Sequence, residues 1–282
     1  MIDHTGQAAP EDLPPRLRSA VHQLWDDLAD TAGGGGLSAL DHLLSVLAEL
    51  TRAQNAWWMG SVRIGETKPA DPYRGWRPAA IHYLHETPND RAFFREGRRL
   101  MDAAGVDESI QANASGAGTF RINWLPEMVS PEWYGSAFHQ KAYVEREIHD
   151  AVFVGCPVSD GAEVMVGLQR KDESLGRFDA GDRAVFAEAM RGLRWFQRQM
   201  LLEHGLLVAR WPMTDAERRV VDHLLRGLSE SAIARTLQIA RPTLHNHVTN
   251  IYRKFGVGSR AELMALWLGR TGDAVNPPAP PR

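Results

Sequence analysis

Cysteine is nearly absent from the sequence, since Cys156 is the single thiol in 282 residues. One thiol cannot form a disulfide within the chain, which fits a reducing compartment. The sequence also lacks an uninterrupted apolar run of about eighteen residues, the length that a membrane helix needs. The first residues have neither the basic start nor the apolar stretch of a secretory signal. We therefore expect a cytoplasmic protein without a membrane span.

Clusters that would indicate metal binding or catalysis are also scarce. His82, His85 and Glu86 could share a metal on a helix, but no third His or Cys completes a recognisable spacing. Pro78 and Pro88 moreover indicate a loop around these residues. The sequence therefore predicts neither a metal site nor a bound cofactor.

Catalysis by a thiol is the remaining candidate for an enzyme. Cys156 could be paired with His139 or His149 as nucleophile and base. A lone cysteine in a strand pattern is more often a small buried apolar residue. We therefore expect no catalytic residues, and the sequence does not predict an enzyme.

Charge is distributed unevenly along the chain. The net charge is −3, but residues 213–270 contain nine Arg or Lys against five Asp or Glu, a net +4, whereas residues 1–212 contain 22 against 29, a net −7. A basic segment on an acidic chain is typical of a part that contacts phosphate.

The basic segment has the pattern of four short helices separated by turns. Thr214 with Glu217 has the spacing of a capping box at the first helix, and Gly227 ends that helix. Ser229 can cap the second helix, and Pro242 lies in the first turn of the third after only a few residues. This is helix-turn-helix spacing.

The third helix of this segment divides into two faces at about 100° per residue. One face is apolar and predicts the core stripe: Leu244, Val248, Ile251 and Phe255. The other has no acidic residue and consists mostly of groups that form hydrogen bonds, as a helix in a DNA major groove requires: Pro242, His245, Asn246, Thr249, Asn250 and Arg253. A solvated face would more typically carry Glu and Lys.

The segment resembles the LuxR-type helix-turn-helix domain of bacterial transcription regulators. The resemblance is carried by the following residues in the expected spacing: Thr214, Glu217, Val221, Gly227, Ser229, Ile233, Ala234, Leu237, Ile239, Thr243, His247, Asn250, Ile251, Lys254, Gly256, Val257 and Arg260. The resemblance implies that Thr243 and Lys254 hold phosphates and that the last helix, residues 260–268, pairs two copies. It also implies that His245, Asn246 and Thr249 face bases.

The chain departs from the family pattern at the start of the third helix. Ala240 stands where the family usually has Ser, and it cannot cap the helix with a side-chain oxygen. Pro242 stands in place of Lys, and His245 in place of a frequent Lys or Arg. Two missing positive charges should weaken the salt-dependent part of DNA binding. Base recognition should then depend more on Asn246, whose amide can pair with adenine.

Residues 37–204 have the pattern of an α+β domain. Helices are predicted at residues 15–29, 37–52, 89–104, 131–147 and 181–203, and strands at 57–64 and, more weakly, 118–124. Residues 152–159 and 162–170 predict a hairpin with a type I′ turn at Asp160-Gly161, and Pro157 predicts a bulge or an edge. Along helices 37–52 and 181–203, apolar residues recur in a seam at alternating steps of four and three. Such a seam can pack on a sheet within one subunit or pair two subunits.

This order of elements resembles a GAF or PAS-like sensor domain, and residues 176–196 are similar to the entry into the last helix of GAF domains that precede LuxR-type domains. The predicted fold class is therefore α+β, an antiparallel-sheet sensor domain followed by an all-α four-helix domain. The divisions are residues 1–36, a tail, a helix and a Gly-rich joint; 37–204, the GAF-like domain; 205–212, a linker; 213–270, the DNA-binding domain; and 271–282, a disordered tail.

Aromatic residues are concentrated in the predicted sensor domain. They could line an apolar pocket in which a few polar groups, such as Arg121 and Asn123, orient a small ligand. The alternative is that they form only the core or an interface. The candidate ligand-binding residues are Trp57, Trp76, Trp124, Trp133 and His139.

Two other input domains are disfavoured. Asp26 and Asp27 lie in a predicted helix, where the acidic pair of a phosphorylated receiver domain would follow a strand. Asp71-Pro72 and Trp76 are similar to part of the acyl-homoserine-lactone sensor pattern, but the rest of that pattern is missing.

The sequence thus predicts a homodimeric transcription regulator. Its N-terminal domain would sense a small-molecule effector or a partner, and its C-terminal domain would bind an inverted-repeat operator in double-stranded DNA. The alternative is a regulator whose N-terminal domain has no small-molecule ligand and serves only dimerisation or protein contacts.

Overall fold

A computed structural model describes residues 13–31, 36–63, 71–204, 206 and 214–267. These residues divide into two compact units, one of residues 13–30 and 37–197 and a second that includes residues 198–204 and 214–267. Residues 1–12, the glycines at 33–35, most of the predicted linker 205–212, and the tail from 268 lie outside the described residues. No described helix combines the length and the apolar composition that a membrane span requires.

The first unit contains a five-stranded antiparallel sheet between helices, which confirms the α+β prediction. Its strands are β1 (Asn55–Arg63), β2 (Trp76–Tyr83), β3 (Arg121–Trp124), β4 (Asp150–Ser159) and β5 (Ala162–Arg170), in the spatial order β2-β1-β5-β4-β3. Its helices are α1 (Pro15–Thr31), α2 (Gly36–Thr51), α3 (Pro88–Asp102), α4 (Glu108–Ser115), α5 (Leu125–Met128), α6 (Ala137–Ala142) and α7 (Ala180–Arg191), and α8 (Arg194–Glu203) begins in this unit and ends in the second.

The β4-β5 hairpin is confirmed, but the predicted type I′ turn is wrong. A type I′ turn needs positive φ at both central residues, and neither Asp160 nor Gly161 has it. The register instead shifts between Pro157 and Ser159. This places a bulge next to Pro157, which has no N–H to donate to the ladder.

Strand β2 was not predicted, because Pro78 suggested a loop. β2 lies at the edge of the sheet and pairs only with β1 among the described strands. The register shifts between Gly60 and Ser61, and Ser61 is opposite Pro78. A proline is tolerated there because an edge strand has one side without ladder bonds.

The predicted helix over residues 131–147 is also wrong. Its place is taken by two 3₁₀ turns, Pro131–Gly135 and Val144–Arg146, on either side of the short α6. Ser136 has an extended backbone, and its hydroxyl accepts a hydrogen bond from the N–H of His139. The side chain therefore starts a new helix at the point where one continuous helix was predicted.

The predicted long helix 181–203 is broken into α7 and α8 at Gly192 and Leu193. The indole N–H of Trp25 donates to the carbonyl of Ala189 at 2.8 Å. This carbonyl would otherwise accept from the N–H of Leu193, which bonds to Met190 instead. A side chain of α1 thus takes the acceptor of one helical turn, which is a recognised cause of a helix break.

The two faces of the sheet contact different helices. On one face Trp58 donates to Gln197 of α8, and Arg170 donates to the carbonyl of Thr51 at the end of α2. On the other face Trp57 and Phe153 pack with the side chains of α3 and α6. Residues of the two predicted seams are buried within one chain, which favours packing inside the subunit: Leu40, Leu44, Leu47, Thr51, Phe186, Ala189, Leu193, Phe196 and Met200.

Gly97 lies within α3, and its substitution tests the free space that the structure shows around this helix. A Cβ atom placed there meets nothing within 4 Å. Gly97→Ala should raise the free energy of unfolding by about 0.5–1 kcal/mol, because alanine loses less backbone entropy in a helix. Denaturant titration measures this change. Gly192→Ala is the matched control and should destabilise the chain, since its Cβ would lie 2.7 Å from the Trp25 ring.

The second unit contains the four predicted helices: α9 (Asp215–Leu225), α10 (Glu230–Thr236), α11 (Arg241–Phe255) and α12 (Arg260–Trp267). Thr214 and Glu217 form the predicted capping box, and Ser229 caps α10. Ala240 contributes no side-chain hydrogen bond at the start of α11, because a methyl group has neither a donor nor an acceptor. The core joins all four helices through residues that include Val220, Ile233, Leu244, Ile251 and Leu263.

Candidate DNA-binding face and ligand cavity

Helix α11 has the two faces that its sequence predicts. Leu244, Val248, Ile251 and Phe255 are buried, which confirms the core stripe. Most of the predicted DNA-binding side chains are exposed, namely Thr243, His245, Asn246, Thr249 and Arg253, while Asn250 and Lys254 are half-buried. We call these five exposed residues, together with Asn250 and Lys254, the α11 polar face.

One hydrogen bond organises the C-terminal part of the α11 polar face. The guanidinium of Arg253 donates to the side-chain oxygen of Asn250 at 2.8 Å. This bond orients both side chains before any ligand arrives. It leaves further N–H groups of Arg253 for an acceptor, because a guanidinium has five.

Lys254 has a structural partner that the sequence did not reveal. Its ammonium is 2.6 Å from a carboxylate oxygen of Glu217, and the two side chains are 14% and 5% exposed. Burial alone would raise the pKa of Glu217, but hydrogen bonds from Lys254 and Thr214 outweigh burial and lower this pKa. Lys254 therefore stabilises the helical unit, and any phosphate contact would be added to an ion pair that already exists.

A cavity of about 160 Å³ lies on the face of the sheet covered by α3, α4 and α6. Trp57 and Trp76, two of the predicted ligand-binding residues, line it. The aromatic rings of Phe93 and Phe153 contribute to the same wall. Glycine is needed at position 167 behind this wall, because a Cβ atom there would meet the Trp57 ring at 2.4 Å.

Trp124 does not line this cavity. It lies opposite Val152 on β4, whereas its neighbour Asn123 lies opposite Phe153 of the cavity wall, and alternate residues of a strand point to opposite faces. Its indole N–H donates to Asp150 at 2.9 Å. The guanidinium of Arg183, on α7, lies 4.5 Å from the centre of its ring. Strand parity could have indicated this position once the limits of β3 were known.

Trp133 and His139 also lie away from the cavity wall. Trp133 is buried, and its indole N–H donates to Asp107 at 2.8 Å. The ring centroids of Trp133 and His139 are 5.0 Å apart, and both rings contact Tyr143. These residues form an aromatic cluster beside the cavity, which Tyr143 lines.

The polar residues considered for ligand binding are bonded within the protein. Arg121 and Glu163 form a buried ion pair at 2.8 Å, and Asn123 donates to Asn113 at 2.9 Å. Asp71 accepts from the N–H groups of Tyr73 and Gly75. Of the residues in these contacts, Glu163 and Asn113 line the cavity.

His82 and Cys156, the candidates for metal binding and thiol chemistry, are each explained by their surroundings in the fold. His82 lies on β2, where its ring nitrogen is 2.7 Å from Asp41. Within the described part of the chain, no group of three or more His, Cys, Asp and Glu could hold a metal ion. Cys156 is buried, and burial raises the pKa of its thiol to about 12, so that it is protonated at neutral pH.

Comparison with known proteins gives a family for this chain. Residues 212–267 match the family described as bacterial regulatory proteins, luxR family. Over 167 residues the chain is 46% identical to a putative HTH-type transcriptional regulator in the exeN 3′ region of Aeromonas salmonicida, covering 51% of this chain and 85% of the relative. The chain belongs to the LuxR family of bacterial regulatory proteins.

Another curated protein and two solved structures are similar to this chain over different lengths. The probable HTH-type transcriptional regulator GfsR of Streptomyces halstedii is 37% identical over 60 residues, covering 21% of this chain and 25% of that protein. A structure of SdiA in complex with octanoyl-rac-glycerol has a TM-score of 0.43 at 10% identity, covering 94% of this chain and 98% of that chain. The VqsR LBD domain from Pseudomonas aeruginosa has a TM-score of 0.39 at 12% identity, covering 61% and 97%.

Two charged residues next to the α11 polar face of this LuxR-family chain were not singled out from the sequence. Arg241 is exposed at the first position of α11. Glu230 opens α10, and its carboxylate lies 3.6 Å from a ring nitrogen of His245. The acidic group comes from another helix, so the composition of α11 alone could not reveal it.

Glu230 provides a test of the electrostatics of this face. Glu230→Gln should tighten DNA binding about twofold to fivefold at low salt, because it removes a negative charge beside His245 at an exposed site. The gain should shrink as salt is raised. Fluorescence anisotropy with labelled duplex DNA measures it. Glu262→Gln, on α12, is the matched control and should have a smaller effect.

Proposed function

We propose that this LuxR-type transcriptional regulator binds an inverted-repeat DNA operator as a homodimer through the α11 polar face. The observation that carries the proposal is the composition and exposure of this face. Asn246 and Thr249 are exposed on the side of α11 opposite its buried stripe. Amide and hydroxyl groups can form hydrogen bonds with base edges, and Arg253 can contact phosphate or guanine. The net +4 of residues 213–270 supports the approach to DNA.

The N-terminal unit is proposed to be a GAF-like sensor of a small molecule. The cavity lined by Trp57 and Trp76 favours this over the alternative of a domain that serves only protein contacts. A domain of the latter kind would be expected to fill its core between the sheet and α3. An opening among aromatic side chains with few polar groups is instead typical of a small-molecule site.

The proposed coupling runs through adjacent residues of β1. Trp57 lines the cavity, and Trp58 on the opposite face donates its indole N–H to Gln197 of α8 at 2.8 Å. A ligand that displaces Trp57 would therefore shift the strand that holds Trp58, and with it α8. The ligand would change operator affinity by its differential affinity for the two arrangements of α8.

Selection of double-stranded DNA from a random library by the full-length protein tests the proposal. The selected sequences should contain two half-sites in inverted orientation, and sedimentation of the complex should give two protein chains per duplex. Recovery of sequences without a shared motif, or of a complex with one chain, would contradict the proposal.

A further inference from the structure

Helix α1 has one side that is turned away from the rest of the first unit. Val21, Leu24 and Leu28 are buried on its inner side. At about 100° per residue, the positions opposite this buried side recur at steps of three and four. All of them are exposed: Arg16, Ser19, Gln23, Asp26 and Asp30. We call these five residues the α1 outer face.

Both flanks of α1 make contacts within the same chain. On one flank the indole N–H of Trp25 donates to the carbonyl of Ala189, and on the other flank Asp27 lies 3.1 Å from a ring nitrogen of His42 on α2. Asp26 comes between Trp25 and Asp27, about 100° from each, and therefore points outward. The α1 outer face is thus the side of this helix that is available to another molecule.

The charges of the α1 outer face are arranged against the helix dipole. Arg16 lies in the first turn and Asp30 in the last, whereas the dipole favours acidic residues at the start of a helix and basic residues at its end. Within the described part of the chain, Arg16, Asp26 and Asp30 form no ion pair. An order of charges that destabilises the isolated helix indicates that another interaction compensates for it.

A second copy of α1, running in the opposite direction, would complement these charges. With a two-fold axis at Gln23, Arg16 and Asp30 each lie seven residues from the axis, or about 10 Å along the helix. Arg16 of one copy then faces Asp30 of the other, and the contact occurs twice. The dipoles of two antiparallel helices also attract each other. At the axis the two Gln23 amides can bond to each other, because an amide has both donors and an acceptor.

Trp195 of α8 adds an apolar group beside this face. It follows Gly192 by three residues, and a Cβ atom on Gly192 would lie 2.7 Å from the Trp25 ring of α1. Trp195 is 40% exposed and is the one aromatic side chain among the large apolar residues exposed in the described ranges. Tryptophan is enriched among the residues that contribute most to interfaces. One helix face is smaller than the about 800 Å² per partner that a stable dimer buries, so α8 is expected to contribute.

We propose that the first unit pairs with a second copy of this chain through the α1 outer face, with the two helices antiparallel and Trp195 at the edge of the contact. The proposal rests on the homodimer of the proposed function and names a surface between its two chains. A face of one sign would fit DNA or another partner of opposite charge, whereas a face that carries both signs at opposite ends fits a copy of itself. The seams of α2, α7 and α8 are buried within one chain and are not available for this contact.

Exchanging the two charges tests the proposal. Arg16→Glu and Asp30→Arg each place like charges opposite each other at both contacts, so each should weaken self-association of the full-length protein about tenfold at low salt. The double variant Arg16→Glu/Asp30→Arg restores opposite charges and should associate within about twofold of the unaltered protein. Because positions 16 and 30 are about 21 Å apart along one helix, compensation between them must occur across two chains. Sedimentation velocity without DNA, over a range of protein concentrations, measures the dissociation constants.

Matched measurements separate this contact from general effects. Both substitutions place a charge where the helix dipole favours it, so the fold should be retained. An equal mixture of the two single variants should associate as tightly as the unaltered protein, since each contact again joins opposite charges. Arg95→Glu, at an exposed site on α3, has the same net charge as Arg16→Glu and should change the dissociation constant less than about twofold. Trp195→Ala should weaken self-association about tenfold.

Other outcomes overturn the proposal. These are an unaltered protein that stays monomeric at every concentration, additive losses in the double variant, no loss in Trp195→Ala, or an equal loss in Arg95→Glu. Each leaves the DNA selection unaffected, because another contact could bring two chains to one duplex. Conversely, compensation in the double variant together with a DNA complex of one chain would contradict the proposed function and leave this surface standing.

Discussion

Glu163→Gln is expected to lower the free energy of unfolding by about 3–5 kcal/mol, the usual cost of breaking a buried ion pair from one side. The carboxylate of Glu163 accepts hydrogen bonds from both terminal nitrogens of Arg121, at 2.8 and 3.0 Å, and from the N–H of Gly118, at 2.8 Å. Both side chains of the pair are less than a tenth exposed. A neutral amide would leave the buried guanidinium without its counter-charge.

Denaturant titration followed by tryptophan fluorescence measures this loss. The matched control is Glu96→Gln. Glu96 pairs with Lys141 at the surface, where the two side chains are 61% and 55% exposed. This variant should lower the free energy of unfolding by less than about 1 kcal/mol. The double variant Arg121→Met/Glu163→Leu should recover part of the stability, because it removes both charges but leaves the carbonyls of Asn113 and Thr119 without their donor. A loss in Glu163→Gln no larger than in Glu96→Gln would contradict the assigned role of this pair.

Arg253→Glu is expected to weaken binding to the selected operator by roughly two orders of magnitude at moderate salt. Arg253 is exposed on the α11 polar face and bonded to Asn250, so the change replaces an attraction to DNA by a repulsion and frees a neighbouring side chain. The slope of log affinity against log salt should decrease by about one for a single lost phosphate contact. Fluorescence anisotropy at several salt concentrations measures both quantities.

Arg219→Glu is the charge-matched control for this result. Arg219 is exposed on α9 and is not part of the α11 polar face. The variant has the same net charge as Arg253→Glu, so its effect on affinity reports the general field of the protein, and we expect no more than about a threefold loss. Equal losses in the two variants would show that DNA is attracted by net charge and not through α11.

The helical unit could be predicted from the sequence in some detail because its signals are local. Thr214 and Glu217 lie within one turn of each other, and the buried stripe from Leu244 to Phe255 repeats within one helix. The pairing of Lys254 with Glu217 was missed because it joins residues 37 positions apart, on two different helices. Caps and stripes follow from short spacings, whereas ion pairs follow from the tertiary packing.

The sheet unit was harder to predict because its decisive contacts are distant in sequence. Pro78 indicated a loop, but its place at an edge, opposite the register shift in β1, makes a strand acceptable. The break between α7 and α8 depends on Trp25, which lies 164 residues before the carbonyl that it binds. Residue type indicates Trp57, Trp76 and Trp124 equally as ligand-binding candidates. Trp57 and Trp76 line the cavity, whereas Trp124 contacts Arg183 of α7.

Selection of DNA from a random library by Asn246→Ala, in parallel with the unaltered protein, tests most directly whether the α11 polar face reads base sequence. Asn246 is exposed, so the fold should be retained. We expect one position in each half-site to lose its preference for adenine, while the other positions and the half-site spacing persist and the binding free energy weakens by about 1–3 kcal/mol. An unchanged motif bound with unchanged affinity would contradict this expectation.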